Sequence, residues 1–191
     1  SMRWMIHFPV FCLLRIEQNK HLLHASAVSS DVDSLVFFGL NKVGKSSLSL
    51  YLMERLGYNF ITDNFLLYDD RYIYPFPERG RVSPESRSQL TLSVPMDGQT
   101  VYGKHHVDLP VDRIAPKGQP TAALFVSFGD ALSVRTMERP RATALIQGLH
   151  HVLGEFPAYS FYSMLPYYGI GTSAELFDET LWRSVPFYRL T

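Results

Sequence analysis

Apolar and polar positions along the first part of the chain predict strands. From Trp4 to Ile16 every even-numbered residue is apolar, and this alternation is typical of a half-buried strand or a hairpin. Residues 21–29 form a second candidate strand. The short apolar run from Ser34 to Phe38 is typical of a strand that is covered on both faces.

Helical spacing replaces this pattern after Gly39. Leu48, Leu52 and Leu56 lie four residues apart, and Gly57 is a natural helix stop. A second helix is predicted near residues 142–153. Further strands are predicted at residues 58–62, 65–68, 72–74, 101–109, 122–128 and 187–190, with a proline-rich loop over residues 75–84. No internal repeat or linker interrupts these elements, so we predict a single α/β domain over residues 1–191, in which Ser1 is treated as a tag remnant.

The composition of the chain limits which kinds of partner the protein is expected to bind. The chain has 18 Lys and Arg residues against 18 Asp and Glu residues, and a net charge of zero gives no electrostatic reason to expect nucleic acid or an anionic membrane. The longest weakly polar run, residues 4–14, is about half the roughly 20 residues that a membrane span needs. A single cysteine, Cys12, suits a reducing compartment. We therefore expect a cytoplasmic protein that binds neither nucleic acid nor membrane.

A phosphate-binding motif follows the apolar run at residues 34–38. The sequence GLNKVGKS at residues 39–46 matches the pattern G-x-x-x-x-G-K-[ST]. Its glycines allow the backbone N–H groups to face a phosphate, and the helix that follows adds the positive end of its dipole. In this motif the lysine reaches the β- and γ-phosphates, and the serine hydroxyl is a ligand of Mg²⁺. The candidate nucleotide-binding residues are Gly39, Leu40, Asn41, Lys42, Val43, Gly44, Lys45, Ser46 and Ser47.

Two further polar residues are candidates for the same site. Asp63 ends the strand predicted at residues 58–62, and ligands of open α/β sheets bind at the carboxyl ends of strands. Its carboxylate would hold Mg²⁺ or accept the proton of an attacking hydroxyl, or else only shape a turn. His24 is a polar residue in an apolar strand, and we expect the C-terminal end of that strand to bring it to the loop. There it would contact phosphate or orient a carboxylate, or else be a satisfied core histidine.

These segments together resemble a known family. The sequences LLHASAV, LVFFGLNKVGKSSLSLYL, GYNFITDN and YPFPERGRV, all within residues 20–82, are similar to the HPr kinase-like P-loop proteins, which are related to phosphoenolpyruvate carboxykinase. The final VPFYRL is similar to their closing strand. The resemblance implies a mixed sheet with flanking helices, and an ATP-dependent kinase that acts on a hydroxyl, commonly a serine of a protein or peptide and in some relatives a small molecule.

The resemblance also implies roles for individual residues. The loop at residues 39–46 would bind ATP and Mg²⁺, with Ser46 and Asp63 as metal ligands. Lys45, Asp63 and His24 would be the catalytic group, since His24 matches the histidine ahead of the loop and Asp63 matches the first of two adjacent acids. Relatives often form multimers, so a homo-oligomer is a further expectation.

This chain departs from the family pattern at residue 64. Asn64 stands where the family has a second Asp, which removes a negative ligand for Mg²⁺. The alternative function is therefore a nucleotide-sensing module without transferase activity.

No sequence motif identifies the molecule that would accept the phosphoryl group. Arg79 and Arg81 would clamp a phosphate or substrate anion, or else be solvated, and the aromatic stretch at residues 156–168 would bind a peptide or pack in the core.

Overall fold

Helices and strands are interleaved along the chain in the computed structural model, which describes residues 6, 8–76, 80–92, 95–101, 103–153 and 177–191. The helices are α1 (Phe8–Gln18), α2 (Lys45–Leu56), α3 (Pro84–Leu90) and α4 (Arg139–Leu153). The strands are β1 (His21–Leu23), β2 (Ser26–Ser29), β3 (Ser34–Phe38), β4 (Asn59–Thr62), β5 (Leu66–Tyr68), β6 (Ile73–Tyr74), β7 (Arg81–Val82), β8 (Met96–Val101), β9 (Lys104–Val107), β10 (Ala122–Val126), β11 (Val134–Met137) and β12 (Phe187–Leu190).

A mixed sheet of six strands forms the centre of the fold. Its strand order is β11-β12-β10-β3-β2-β4. Strands β3, β10 and β12 are parallel, whereas β2 pairs antiparallel with both β3 and β4. Because β2 reverses direction between them, β3 and β4 run the same way and end at the same edge of the sheet. The predicted α/β fold with a mixed sheet and flanking helices is confirmed at this level.

Two small sheets pack beside the central one. The sheet β1-β5-β6 is covered by α1, whose Phe11 packs with Leu22 and Leu67. The sheet β7-β9-β8 packs on α2, where Val82 and Val107 meet the side chains of α2. Helix α4 contributes its apolar face to the main core, which contains the alternate β3 residues Val36 and Phe38. No helix among the described residues is long and apolar enough to cross a membrane.

The strand predicted at residues 4–16 is wrong, because residues 8–18 of that segment form helix α1. Burial along the segment follows helical spacing: Phe11 and Arg15, four residues apart, are buried, whereas Leu13 is exposed. The alternation of apolar residues gives no reason to expect a buried Arg15. Its guanidinium lies against the His21 ring, with Nη1 2.8 Å from Nδ1.

Three other segments differ from the prediction. The strand predicted at residues 21–29 is divided into β1 and β2, which lie in different sheets. The segment 101–109 turns at Gly103, so it supplies the end of β8 and all of β9. The proline-rich segment 75–84 leads into β7 and α3 rather than a long loop, since Ser83 caps α3 and Pro84 begins it. The aromatic stretch at residues 156–168 and Arg79 lie outside the described residues.

Candidate functional site

The glycine loop (residues 39–46) leaves β3 and enters α2. Gly39 has φ +145°, and a Cβ atom there would lie 2.6 Å from the Val126 carbonyl oxygen and 3.0 Å from Val43 Cγ2. Real Cβ atoms essentially never approach other heavy atoms as closely as 2.6 Å. Both the backbone conformation and the space at this position therefore require glycine.

Positive φ angles recur within the loop and turn its backbone toward the start of α2. Lys42 has φ +68° and Gly44 has φ +99°. Gly44 is the N-cap of α2 and supplies no side chain to cap the first turn. The first N–H groups of a helix lack partners within the helix. An anion at this end of α2 would accept hydrogen bonds from them and meet the positive end of the helix dipole.

Lys45, the first residue of α2, is buried against the loop. Its Nζ donates to the carbonyl oxygens of Gly39 at 2.8 Å and Leu40 at 2.9 Å. Burial lowers the pKa of Lys45 to about 8, against the opposing effect of the negative charge of Asp63. An ammonium group in this position can exchange carbonyl oxygens for phosphate oxygens, which carry a full negative charge.

Asp63 follows β4 and is buried beside the start of α2. The Ser46 hydroxyl donates to Asp63 Oδ1 at 2.7 Å, and the backbone N–H of Arg81 donates to the same carboxylate. Burial raises the pKa of Asp63, and these hydrogen bonds oppose the rise. Because β3 and β4 end at the same edge of the sheet, Asp63 and the glycine loop lie side by side. A hydroxyl and a carboxylate are ligands of the kind that hard divalent cations prefer.

His24 lies in the break between β1 and β2. The sequence predicts that the C-terminal end of its strand brings His24 to the loop. The structure uses the N-terminal end of β2 instead, because β2 is antiparallel to β3 and pairs Ser26 with Phe37. The Nε2 atom of His24 is buried and has no hydrogen-bond partner among the described residues. Burial, with the nearby charge of Lys45, lowers the pKa of His24 to about 4, so the imidazole is neutral at pH 7.

One cleft of about 370 Å³ brings most of the candidate residues together. Its glycine-loop side includes all three catalytic candidates and most of the loop. The other lining residues lie on or beside β7, α3 and β9 and are here called the far wall: Arg81, Ser83, Glu85, Ser86, Gly103 and Lys104. The residues that line the cleft on the first side are His24, Asn41, Lys42, Gly44, Lys45, Ser46, Ser47, Asp63 and Asn64. Gly39, Leu40 and Val43 are not among the lining residues; Gly39 shapes the loop and Leu40 supplies a carbonyl to Lys45.

Sequence reasoning missed most of the far wall. Ser83 is followed by Pro84, which is a helix-start signal that would have predicted α3 and placed Ser83 and Ser86 on its first turn. Lys104 carries no such signal, because its position depends on how β8 and β9 pair. For Arg81 the sequence leaves two alternatives open, an anion clamp and a solvated side chain.

Known proteins show a distant structural likeness to this chain. No protein-family model and no curated protein sequence matches it. Among solved structures, a chain from "Structure of the Hpr(Ser) kinase/phosphatase from Coxiella burnetii" aligns with 61% of this chain and 77% of its own length, at 16% identity and a TM-score of 0.36. A likeness this distant assigns no activity, so the chemistry of the cleft is the basis for a function.

Proposed function

We propose that this protein is an ATP-dependent kinase that transfers the γ-phosphoryl group to a hydroxyl of a protein, a peptide or a small molecule. The observation that carries the proposal is the 2.7 Å hydrogen bond between Ser46 and Asp63. It joins the last residue of the glycine loop to a buried carboxylate that follows β4, a strand that ends at the same edge of the sheet as β3. A phosphate-binding loop with an oxygen-ligand pair beside it is what transfer of a metal-bound phosphoryl group requires.

The loop and α2 would hold the triphosphate. Backbone N–H groups at the start of α2 would donate to phosphate oxygens, and Lys45 would exchange its bonds to the carbonyl oxygens of Gly39 and Leu40 for bonds to the β- and γ-phosphates. Ser46 and Asp63 would hold Mg²⁺. When bound, the metal supplies positive charge that neutralises the phosphates during transfer.

Asp63 would act as the base. The acceptor oxygen attacks the γ-phosphorus, the bond between that phosphorus and the β–γ bridging oxygen breaks, and ADP leaves with the electron pair. The acceptor proton passes to the Asp63 carboxylate. Burial raises the pKa of Asp63 in the metal-free protein, and a bound cation would oppose that rise. Neutral His24 lines the same cleft, and its unpartnered Nε2 would hydrogen-bond a phosphate oxygen or an ordered water.

Asn64 supports a second candidate function, a nucleotide-sensing module without transferase activity. Asn64 lines the cleft beside Asp63 and has φ +87°, a conformation that asparagine tolerates better than most residues. Its amide brings no negative charge to the metal. A protein with this site would bind the nucleotide and change its affinity for a partner without turnover.

Calorimetry with Mg-ATP, followed by labelling, separates these functions. We expect the wild-type chain to bind Mg-ATP, and Lys45→Ala to weaken binding about tenfold to a hundredfold because a charge-assisted contact is lost. Lys117→Ala, an exposed lysine outside the cleft, is the control. Incubation with labelled ATP and a cell lysate, with mass spectrometry of the labelled species, should then give a product phosphorylated on a hydroxyl.

Each result has a separate meaning. Binding that depends on Lys45 without any labelled product would favour the sensing module over the kinase. Absence of Mg-ATP binding by the wild-type chain would contradict both functions.

A further inference from the structure

Strand pairing places Arg81 and Lys104, the two cationic residues of the far wall, on the same face of a small sheet. Strand β7 pairs antiparallel with β9, and Arg81 lies opposite His106. Lys104 is two residues before His106, so Arg81 and Lys104 share one face of this small sheet. The other face carries Val82, His105 and Val107, and its two valines pack in the core against α2. The alternation therefore puts Arg81 and Lys104 on the face opposite these valines, and both residues line the cleft.

Both cations lie close to the proposed reacting groups. The backbone N–H of Arg81 donates to the Asp63 carboxylate, so the Arg81 side chain begins beside the proposed base. Lys104 acts electrostatically on Asp63 and on Lys45. A molecule that presents its hydroxyl to Asp63 must therefore pass within reach of a guanidinium and an ammonium group.

Arg81 and Lys104 are the two cationic residues of the cleft that lie outside the glycine loop. Four cationic residues and two carboxylates line the cleft in the described part of the chain: Lys42, Lys45, Arg81, Lys104, Asp63 and Glu85. Lys42 and Lys45 belong to the glycine loop, and Glu85 is exposed on α3. Arg81 and Lys104 are both half-buried and begin strands β7 and β9. Two like charges in a partly desolvated site are stabilised by an anion that binds to both.

We propose that the far wall is the acceptor subsite of the kinase, and that the acceptor is a hydroxyl compound with an anionic group, a carboxylate or a phosphate, close to the hydroxyl. Arg81 and Lys104 bind that anion, and the Ser86 hydroxyl, which accepts a hydrogen bond from Ser83 Oγ, lines the same cleft and can donate to it. The guanidinium matches the two oxygens of a carboxylate or phosphate, and the ammonium adds a point charge. This inference rests on the proposed kinase function, and it adds what that function leaves open, which is the chemical class of the acceptor.

Three probes with the same carbon skeleton test the subsite. The protein is first saturated with Mg²⁺ and a non-hydrolysable ATP analogue, so that the glycine loop is occupied. Glycerol, D-glycerate and glycerol 3-phosphate are then titrated, with NMR chemical shifts or calorimetry as the readout. The two charged probes distinguish a carboxylate site from a phosphate site, and glycerol reports the affinity for the hydroxyls alone. The variants are Arg81→Gln and Lys104→Gln, and the control is Lys117→Gln.

We expect at least one charged probe to bind about tenfold or more tightly than glycerol, because charge-assisted hydrogen bonds are the stronger ones. Arg81→Gln and Lys104→Gln should each reduce that preference severalfold, whereas the affinity for the ATP analogue should stay within about threefold of the wild type. Lys117→Gln should change neither quantity.

Two results would overturn the subsite. One is equal binding of glycerol and both charged probes. The other is a large loss of affinity for the ATP analogue in Arg81→Gln or Lys104→Gln, which would assign these cations to the nucleotide. Failure of the kinase proposal has a different signature: anion preference persists in the analogue complex, but labelled ATP gives no phosphorylated product with the three probes or in the cell lysate.

Discussion

Burial shifts the pKa values of Asp63 and Lys45 in opposite directions. It raises the pKa of the carboxyl group and lowers the pKa of the ammonium group to about 8, because a desolvated site disfavours either charged form. The two side chains line the same cleft. A carboxylate that binds protons more readily and a lysine that releases them more readily are typical of sites where chemistry takes place.

Replacing Asp63 tests directly whether its carboxylate is the base. Asp63→Asn keeps the size of the side chain and can still accept a bond from Ser46, but it cannot take up a proton at neutral pH. We expect turnover to fall by about a hundredfold to ten-thousandfold, whereas the affinity for Mg-ATP changes by less than about tenfold. Asp70→Asn, at an exposed aspartate outside the cleft, should leave both unchanged. Full activity in Asp63→Asn would show that another group is the base.

The lowered pKa of Lys45 predicts a pH dependence of nucleotide binding. The ammonium form attracts phosphate, and with a pKa of about 8 in the free protein it is the main form below that pH and is lost above it. The affinity for Mg-ATP should therefore fall as the pH rises from about 7 to about 9. Calorimetry across this range measures the effect, and Lys45→Met should remove it. An affinity that rises with pH in the wild type would contradict the assignment of Lys45 to the phosphates.

The glycine loop is the element whose conformation the site depends on. Gly39 and Gly57 both have positive φ, but only Gly39 lacks space for a Cβ atom. Comparing alanine at the two positions therefore separates backbone strain from a steric clash.

We expect Gly39→Ala to displace the start of the loop from Val126 and to weaken Mg-ATP binding by about tenfold or more, because loop geometry sets the phosphate contacts. Gly57→Ala ends α2 with a strained residue in open space, which should cost about 1–2 kcal/mol of stability without changing nucleotide affinity. Calorimetry and urea denaturation measure the two effects. Equal nucleotide affinity of Gly39→Ala and wild type would show that the loop does not hold the ligand.

Local signals predicted some elements and not others. Strand β3, the glycine loop and α2 follow from an apolar run, a glycine motif and a glycine helix stop, all of which are contained in a few neighbouring residues. Helix α1 could not be predicted this way, because its buried face packs on other elements, with Phe11 against Leu22 and Leu67 and with Arg15 against His21. Odd-numbered residues of the segment, such as Phe11 and Leu13, are apolar as well, and a nearly continuous apolar run fits a buried helix as well as a strand.

At the scale of the whole molecule, the chain end supports the strand that carries the glycine loop. Trp182 lies near the C terminus and is buried against Phe38, the last residue of β3, and against Tyr68, with ring centroids 5.5 Å and 5.6 Å apart. The indole N–H has no hydrogen-bond partner among the described residues. Packing, rather than a polar contact, therefore holds Trp182 in the core.

Truncation of Trp182 should destabilise the fold strongly. Trp182→Ala removes a large buried side chain, and we expect a loss of about 3–5 kcal/mol in the free energy of unfolding. Trp182→Phe keeps an aromatic ring and removes only an unpartnered N–H and some volume. The decrease in its free energy of unfolding should therefore be clearly smaller. Leu132→Ala is the control, since Leu132 is 87% exposed. Urea denaturation followed by circular dichroism gives the three values; similar losses in Trp182→Ala and Leu132→Ala would contradict the packing argument.

Only some of the residues that line the cleft could be predicted from the sequence. The rule that ligands bind at the carboxyl ends of strands placed Asp63 next to the glycine loop, because both follow strands of one sheet. Arg81 and Lys104 reach the same cleft through the pairing of β7 and β9 and their packing on α2. Such pairing depends on contacts between distant segments, and no short sequence pattern records it.

A crystal structure of the protein with Mg²⁺ and a non-hydrolysable ATP analogue tests the central claim most directly. We expect the β- and γ-phosphates to accept hydrogen bonds from the backbone of the glycine loop, Lys45 to leave the carbonyl oxygens of Gly39 and Leu40 for the phosphates, and the metal to contact Ser46 and Asp63. A nucleotide bound elsewhere, or Lys45 still bonded to those carbonyl oxygens with Asp63 away from the metal, would contradict the account.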